Sequence, residues 1–286
     1  MINGAAESLG GPRAEPRHRR HWGERSLAAL AALFALFLGL PVLALVMRAI
    51  LDGSLRVAAA SPVVLEALWL SLLTTSISLV ITVVMGMPLA VVLARRRFRG
   101  KSLIEAVVDL PIVLPPSVAG LALLLVFGRR GVLSAPFEFL GVSVPFTTIA
   151  VILAQIFVSA PFFIRSARTG IAGVDRDLED AARVDGASEL QLFRAITVPL
   201  ASAALAAGLV MTWARSLGEF GATIMFAGNI EGRTQTLPLV VYSEFQGGDL
   251  DASIAAAAIL VIAAFGVLVA VRYFHWNRVL DARGLT

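Results

Sequence analysis

The chain has 286 residues, of which 58% are hydrophobic and only 15% are charged, and its mean hydropathy is +0.83. An average soluble domain is about 25% charged, and the apolar residues of this chain come in blocks long enough to cross a bilayer. The composition therefore excludes an ordinary soluble domain and indicates a polytopic membrane protein. The lack of cysteine excludes disulfides, thiol catalysis and metal sites built on cysteine.

The chain opens with a polar segment, residues 1–25, which is rich in Gly, Pro and Arg and has no apolar face. That composition predicts a mostly disordered cytoplasmic tail. The first apolar block follows at 27–47, and a cleavable signal peptide is the alternative interpretation, supported by the small residues at 58–60. Because the apolar core of a signal peptide is typically about 7–15 residues long, we expect an uncleaved first transmembrane helix.

The third apolar block differs from a plain transmembrane helix. The second block covers 65–94, whereas the third covers 104–127 and contains the sequence LPIVLPP, which begins at Leu110. Its prolines and the preceding Asp109 are expected to break the helix. Irregular backbone at membrane depth is tolerated only against protein or an aqueous path, so we expect this segment in the interior of the bundle. A simple kinked helix is the alternative.

Three more apolar blocks complete the predicted architecture. They cover 147–164, 200–220 and 252–271, and they are separated by a polar connection at 128–146, a polar stretch at 175–199 and a longer outer loop at 228–249. These blocks predict an all-α protein with six transmembrane helices within residues 26–275, followed by a C-terminal tail at 276–286.

The distribution of basic residues predicts the orientation. Eighteen of the 24 Lys and Arg residues lie in the N-terminal tail, the loop 95–101, the stretch 165–199 and the C-terminal segment from Arg272 onward, while five lie on the alternate loops. Cytoplasmic loops carry the excess of basic residues, so both termini are expected in the cytoplasm. The formal net charge of +4 is thereby explained by topology, and we expect no nucleic-acid partner.

The polar stretch at 175–199 predicts two short helices separated by a glycine. Asp175 or Asp177 can cap the first helix by accepting its free N–H groups. Gly186 suits the left-handed residue that ends a helix. Ser188 and Gln191 have the spacing of a capping box and can start the second helix. The stretch is therefore expected to form a compact helical turn on the cytoplasmic side.

This stretch resembles the "EAA" loop of prokaryotic ABC-importer permeases, whose pattern is E-A-A-x3-G-x9-I-x-L-P. The matching positions, with Asp in place of Glu and Val in place of Leu, are Asp180, Ala181, Ala182, Gly186, Ile196, Val198 and Pro199. The resemblance implies that the loop at 170–199 docks on a separate ATPase subunit. The small residues would allow close approach, and the acidic residue would contact the partner. An ordinary amphipathic cytoplasmic loop is the alternative.

One charged pair lies inside an apolar block. Arg215 and Glu219 are four residues apart and share a helix face, and ionisable residues within a membrane usually face protein or an aqueous path. They form either an internal salt bridge that fixes helix packing or part of the translocation path. The hydroxyls of Ser216 and Thr223 could donate to a passing oxyanion. The full set of candidate path or gate residues is Pro115, Pro116, Ser117, Arg215, Ser216, Glu219 and Thr223.

Two further segments narrow the resemblance. Residues 214–239 (ARSLGEFGATIMFAGNIEGRTQTLPL) and 110–131 (LPIVLPPSVAGLALLLVFGRRG) are similar to the permease subunits of molybdate importers, and sulfate permeases share much of this pattern. The resemblance implies the type I ABC-importer fold in a prokaryotic inner membrane and import of a tetrahedral oxyanion, with molybdate or tungstate expected. A sulfate or thiosulfate permease is the alternative.

The resemblance also implies partners. Two copies of the chain would assemble with two ATP-binding subunits and a periplasmic or lipid-anchored binding protein. The sequence has no G-x-x-x-x-G-K-[ST] phosphate loop, so ATP and Mg would be bound by the partner, and the chain itself would need no cofactor and would not be an enzyme. A secondary transporter driven by ions, using Asp109 or Glu219, is the alternative from another class.

Overall fold

A computed structural model describes the backbone of residues 18–282 except 140 and 142, and the side chains of residues 26–269 except those at 136, 138, 140 and 142. Throughout these ranges every regular element is a helix, so the predicted all-α class is confirmed. In chain order the helices are α1 (His18–Leu51), α2 (Ser54–Ala60), α3 (Pro62–Arg95), α4 (Lys101–Val113), α5 (Pro116–Phe127), α6 (Ser134–Phe139), α7 (Thr148–Ala172), α8 (Arg176–Val184), α9 (Glu189–Leu192), a π-helical turn (Phe193–Thr197), α10 (Val198–Leu200), α11 (Ser202–Leu217), α12 (Gly221–Phe226), α13 (Leu237–Gly247) and α14 (Leu250–Ala282).

Four helices are long and apolar enough to cross a membrane alone, and two bent helix pairs pass the same test when each pair is taken together. The spans number six if each bent pair counts as one, in agreement with the prediction. The first and last helices are longer than predicted: α1 already begins at His18, and α14 continues to Ala282. Residues 1–17 and 283–286 of the predicted tails lie outside the described residues.

The proline-rich third block is a bent pair rather than one kinked helix. The chain bends by 118° between helices α4 and α5, and the break falls at Leu114, which has extended backbone, and at Pro115. Consecutive prolines explain this, because a proline disfavours helical geometry at the residue before it and lacks the N–H that would continue the ladder.

The expected interior position holds for only part of this block. One face of α5 is buried through Ala119, Gly120 and Leu123. Helix α4 has no buried residue within this subunit, because it packs mainly on α7 and leaves apolar residues such as Val107 and Val113 exposed. The break therefore separates a half that packs into the bundle from a half that lies on its surface.

The predicted outer loop at 228–249 contains a helix that the sequence interpretation missed. Helix α13 begins just after Thr236, has a proline in its first turn, and buries four consecutive residues, Leu237 to Val240. Leu237 and Val240 pack against α2, α3 and α14. Proline is well tolerated in the first turn of a helix, and the buried apolar run fixes the helix to the bundle. The segment is thus part of the fold.

The centre of the bundle is formed by α3, α7 and α11. Small and hydroxyl side chains meet there, and the Ser78 hydroxyl donates to Gln155 at 2.9 Å, while the Gln155 amide donates to the Thr75 hydroxyl at 3.3 Å. Small residues and interhelical hydrogen bonds are what holds helices together in a membrane, where burial of apolar surface provides no net drive. This centre connects the two ends of the subunit.

Candidate functional site

The polar stretch forms the two helices that its capping residues predict. Here we call residues 175–200 the elbow. The Asp175 carboxylate accepts the backbone N–H of Asp177 at 3.0 Å and starts α8. Gly186 has φ +86°, in the left-handed region, and the predicted capping box between Ser188 and Gln191 is present at the start of α9. Strong local signals therefore give the elbow a defined shape.

A second set of contacts ties the two elbow helices together. Arg183 on α8 lies 2.6 Å from Asp180 and donates from Nε to Glu189 on α9 at 2.8 Å. The hydrogen bond from Arg183 lowers the pKa of the Glu189 carboxyl below its ordinary value. The same bond raises the pKa of Arg183 above its ordinary range, so Arg183 remains charged. Arg183 thus bridges the turn at Gly186 from one helix to the other.

The elbow is fastened to the bundle by Glu179. This carboxylate is buried, forms an ion pair with Arg95 at the end of α3, and accepts a hydrogen bond from Thr197 at 2.9 Å. Arg95 also donates to the backbone carbonyl of Val174 at 3.2 Å. Burying a charge is tolerated when it is paired and hydrogen-bonded. Arg95 thus holds α8 and the residue just before the elbow to α3, and Thr197 ties the far end of the elbow to the same carboxylate. Sequence reasoning selected the neighbouring Asp180 and missed Glu179.

Most of the residues predicted to contact an ATPase lie on the exposed surface of the elbow. Asp180, Ala181, Gly186 and Pro199 are exposed, while Ala182 and Ile196 are half-buried. Exposed apolar side chains accompany them, most of all Val184, which is 87% exposed. Exposed apolar side chains surrounded by polar residues are typical of a surface that docks against another protein.

The charged pair inside the fifth span forms a buried ion pair at a break between two helices. Glu219 is 1% exposed and forms an ion pair with Arg215 at 2.6 Å. Its other oxygen accepts the backbone N–H of Ala222 at 2.8 Å, which places the carboxylate at the start of α12. The helix breaks between Leu217 and Gly221, so Glu219 both neutralises Arg215 and receives an N–H freed by the break.

The remaining candidate path residues fall into two groups. Ser216 and Thr223 are fully buried, and the Ser216 hydroxyl donates to the Ser159 hydroxyl at 2.8 Å. Pro115, Pro116 and Ser117 are exposed. A Cβ on Gly221 would lie 2.5 Å from the Cβ of Pro116, so the break before α5 and the break before α12 are directly adjacent. The structure therefore brings Pro116 beside the segment that carries Glu219.

Helix α4 is held to α7 by ion pairs. Asp109 lies 3.5 Å from Arg165, and Glu105 lies 2.5 Å from Arg168. Both carboxylates that an ion-driven transporter could use, Asp109 and Glu219, are thus paired with arginine in this conformation.

Comparison with known proteins identifies the family. The sequence profile of the binding-protein-dependent transport system inner membrane component matches residues 83–283. The molybdate/tungstate transport system permease protein WtpB of Pyrococcus abyssi is 37% identical over 247 residues, which cover 86% of this chain and 93% of that protein. The molybdenum transport system permease protein ModB of Mycobacterium tuberculosis is 42% identical over 205 residues, covering 72% of this chain and 77% of that protein. ModB of Escherichia coli K12 is 38% identical over 207 residues, covering 71% of this chain and 90% of that protein.

Solved structures agree on the fold. A bacterial ABC transporter involved in the import of alginate superposes with a TM-score of 0.72 at 18% identity, covering 91% of this chain and 96% of that chain. The inward-facing MetNI methionine ABC transporter superposes with a TM-score of 0.59 at 19% identity, covering 77% of this chain and 95% of that chain. The family profile spans more than two thirds of this chain, and the chain therefore belongs to the inner-membrane components of binding-protein-dependent transport systems, the permease subunits of ABC importers.

Proposed function

We propose that this chain is the permease subunit of an ATP-driven importer for a tetrahedral oxyanion, either molybdate or tungstate. The observation that carries the proposal is the set of relatives at 37–42% identity, whose names include molybdate/tungstate and molybdenum transport system permeases. The elbow supports the same proposal, because it is an exposed segment fixed to the bundle and so offers a surface on which a separate ATPase could dock.

We further propose that the elbow transmits ATPase closure to the membrane helices. A partner can shift a conformational equilibrium only through contacts that differ between the two states. A force applied at Ala181 and Gly186 would pass through Glu179 to Arg95, and so to α3 at the centre of the bundle. Closure of two ATPase subunits would draw two elbows together and open the paired bundles outward, and hydrolysis would reset them.

The assembly proposed here has two copies of this chain, two ATP-binding subunits and one oxyanion-binding protein, with ATP and Mg bound by the ATPase. Both termini and the elbow lie in the cytoplasm, in accordance with the distribution of Lys and Arg. The extensive apolar surface of α1 and α4 is available to lipid and to the second copy.

Two alternative functions would require different features of this chain. A sulfate or thiosulfate permease would keep the same architecture and differ only in substrate. An ion-driven transporter needs a carboxylate that exchanges ions or protons, and the arginine partners of Asp109 and Glu219 disfavour that role.

The test is uptake into proteoliposomes that contain this chain, its ATPase and its binding protein. Labelled molybdate and labelled sulfate are compared, each with the other as competitor, with and without ATP and with the proton and sodium gradients dissipated. We expect ATP-dependent molybdate uptake that resists excess sulfate. Sulfate uptake would correct the substrate, and uptake that survives ATP depletion but collapses with the gradients would contradict the importer class.

A further inference from the structure

We propose that Arg129 and Arg233 form an anion-receiving vestibule at the outer end of the subunit, at which the imported oxyanion is held before it enters the membrane path. The inference rests on the proposed function and orientation. It assigns a binding role to two side chains outside the elbow and outside the charged pair of the fifth span.

The two arginines line one cavity although they belong to loops about a hundred residues apart. This cavity, with a volume of about 570 Å³, is bounded by Arg129 in the turn after α5, by Arg233 in the loop before α13, and by Ser143 and Thr147. Its apolar walls include Phe146. A concave site with mostly apolar walls and a few convergent polar groups is the usual form of a small-ligand site.

The loops are connected in a way that fixes this arrangement. The Thr148 hydroxyl donates to the backbone carbonyl of Arg233 at 2.9 Å, and the backbone N–H of Phe146 donates to the carbonyl of Phe226 at 3.4 Å. Phe146 has φ +62°, a conformation that is a genuine outlier for a bulky residue. Strained residues persist where the surrounding contacts hold them, and they are concentrated at functional sites.

Among the described side chains, no acidic group balances the positive charge of the cavity. Among the side chains that the structure describes, neither Arg129 nor Arg233 forms an ion pair, and no carboxylate lines the cavity. Glu231 lies in the same loop as Arg233 without pairing to it. The N-terminus of the 25-residue helix α7, capped by Thr147, adds the positive end of its dipole.

The chemistry favours a small oxyanion over an acidic protein surface. Guanidinium groups offer planar, paired N–H donors that match the oxygens of a tetrahedral anion, and the Ser143 hydroxyl provides another donor at the cavity wall. A cavity of about 570 Å³ can enclose such an ion with part of its hydration, whereas a docked protein needs a broad surface. A positively charged cleft also raises the local concentration of an anion.

Protection from chemical modification tests binding without relying on transport. The assembled complex is treated with phenylglyoxal, which modifies exposed arginines, in the presence of molybdate, sulfate or chloride at equal ionic strength, and each site is quantified by mass spectrometry. We expect molybdate to slow modification of Arg129 and Arg233 several-fold relative to chloride, while exposed Arg56 on α2 reacts equally in all three. Equal reaction of Arg129 and Arg233 in molybdate and chloride would overturn the proposal.

Variants then separate a small-anion site from a protein-docking site. With Arg129→Gln and Arg233→Gln combined, we expect molybdate uptake to fall about tenfold at low ionic strength, and the deficit to shrink as salt screens the charges. Replacement of both by lysine should retain most uptake, and Arg56→Gln is the control. The affinity of the binding protein for the complex, measured by surface plasmon resonance, should stay unchanged.

Unchanged uptake in the double glutamine variant would overturn the proposal, as would a loss of uptake explained by weaker docking of the binding protein. Failure of the proposed function has a different signature, because the wild-type complex itself would then show no ATP-dependent molybdate uptake.

Discussion

Glu179 and Arg95 are 84 positions apart and form a buried ion pair that joins the elbow to the end of α3. Thr197, on the far side of the elbow, donates to the same carboxylate oxygen. One side chain therefore connects α8, the π-helical turn and α3. This connection supports the proposal that the elbow moves with the bundle as one body.

Replacement of Glu179 by Ala is expected to uncouple the elbow from α3. Removal of one partner of a buried ion pair costs about 3–5 kcal/mol, because the other charge is left buried and unpaired. We predict that the complex with Glu179→Ala hydrolyses ATP without oxyanion uptake and that protease cleaves its elbow faster. The ratio of uptake to hydrolysis in proteoliposomes and limited proteolysis measure the two effects.

The matched control is Asp177→Asn, which alters another exposed carboxylate of α8 without touching the anchor. Its elbow should remain as resistant to protease as the wild type. A Glu179→Ala complex with wild-type uptake per ATP would show that the anchor does not transmit the motion.

Within this subunit, the backbone conformation of Gly186 restricts substitution, and the space around it does not. A Cβ at this position would meet nothing within 4 Å, but its φ of +86° costs a residue with a side chain about 1–2 kcal/mol. We predict that Gly186→Val abolishes uptake while the protein still inserts into the membrane. Gly186→Asn should transport nearly normally, since Asn tolerates this conformation. Uptake and membrane yield are compared, and equal uptake by the Val and Asn variants would contradict this account.

The Arg183–Glu189 bridge has a predictable pH dependence. The bridge lowers the folded pKa of Glu189 from its ordinary value of 4.5, so its stabilisation is fully present above that value and disappears as pH falls through the lower folded pKa. We predict that Glu189→Gln lowers the thermal stability of the complex at pH 7 but has little effect at a pH below the folded pKa of Glu189. Thermal unfolding of both proteins across pH measures this, and a difference that grows on acidification would contradict it.

The pair within the fifth span should tolerate joint neutralisation better than charge reversal. Glu219→Lys leaves two cations beside each other and removes the acceptor for the N–H of Ala222, so we predict poor membrane yield and assembly. The double variant Arg215→Gln, Glu219→Gln removes both charges and retains an amide oxygen at 219. Its yield should approach that of the wild type. Wild-type yield and uptake for Glu219→Lys would refute both the packing role and the path role of the pair.

Uptake by the double variant separates those two roles. If it transports like the wild type, the pair acts only in packing. If it assembles normally but transports poorly, the charges also serve the path or its gate.

Local signals were sufficient to predict the elbow. The cap at Asp175, the left-handed Gly186 and the box between Ser188 and Gln191 each depend on residues within three or four positions, so spacing alone determines them. The anchor between Glu179 and Arg95 depends on how the chain folds back on itself, and no local pattern indicates that pairing. This is why Asp180 was selected from the motif and Glu179 was missed.

The position of the break in the third membrane-spanning block could be predicted from the sequence, but its geometry could not. Prolines at 115 and 116 mark the break in the third block, yet they do not give the size of the bend, 118°, because that depends on tertiary packing such as the contact of α5 with α12. Helix α13 could have been predicted from the proline in the first turn of its apolar run. The polar residues on both sides of that short run led instead to the prediction of a loop. The cavity at Arg129 and Arg233 depends on two loops that meet only in the folded protein.

The central claim, that the elbow is the docking surface for a separate ATPase, is tested most directly by photo-crosslinking. Since the chain has no cysteine, Ala181→Cys provides a single attachment point for benzophenone maleimide, and Arg97→Cys, in another exposed loop on the same predicted side, is the matched control. We predict that the ATPase is crosslinked efficiently from position 181, with or without ATP, and weakly from position 97. Efficient crosslinking from 97 with none from 181 would contradict the account.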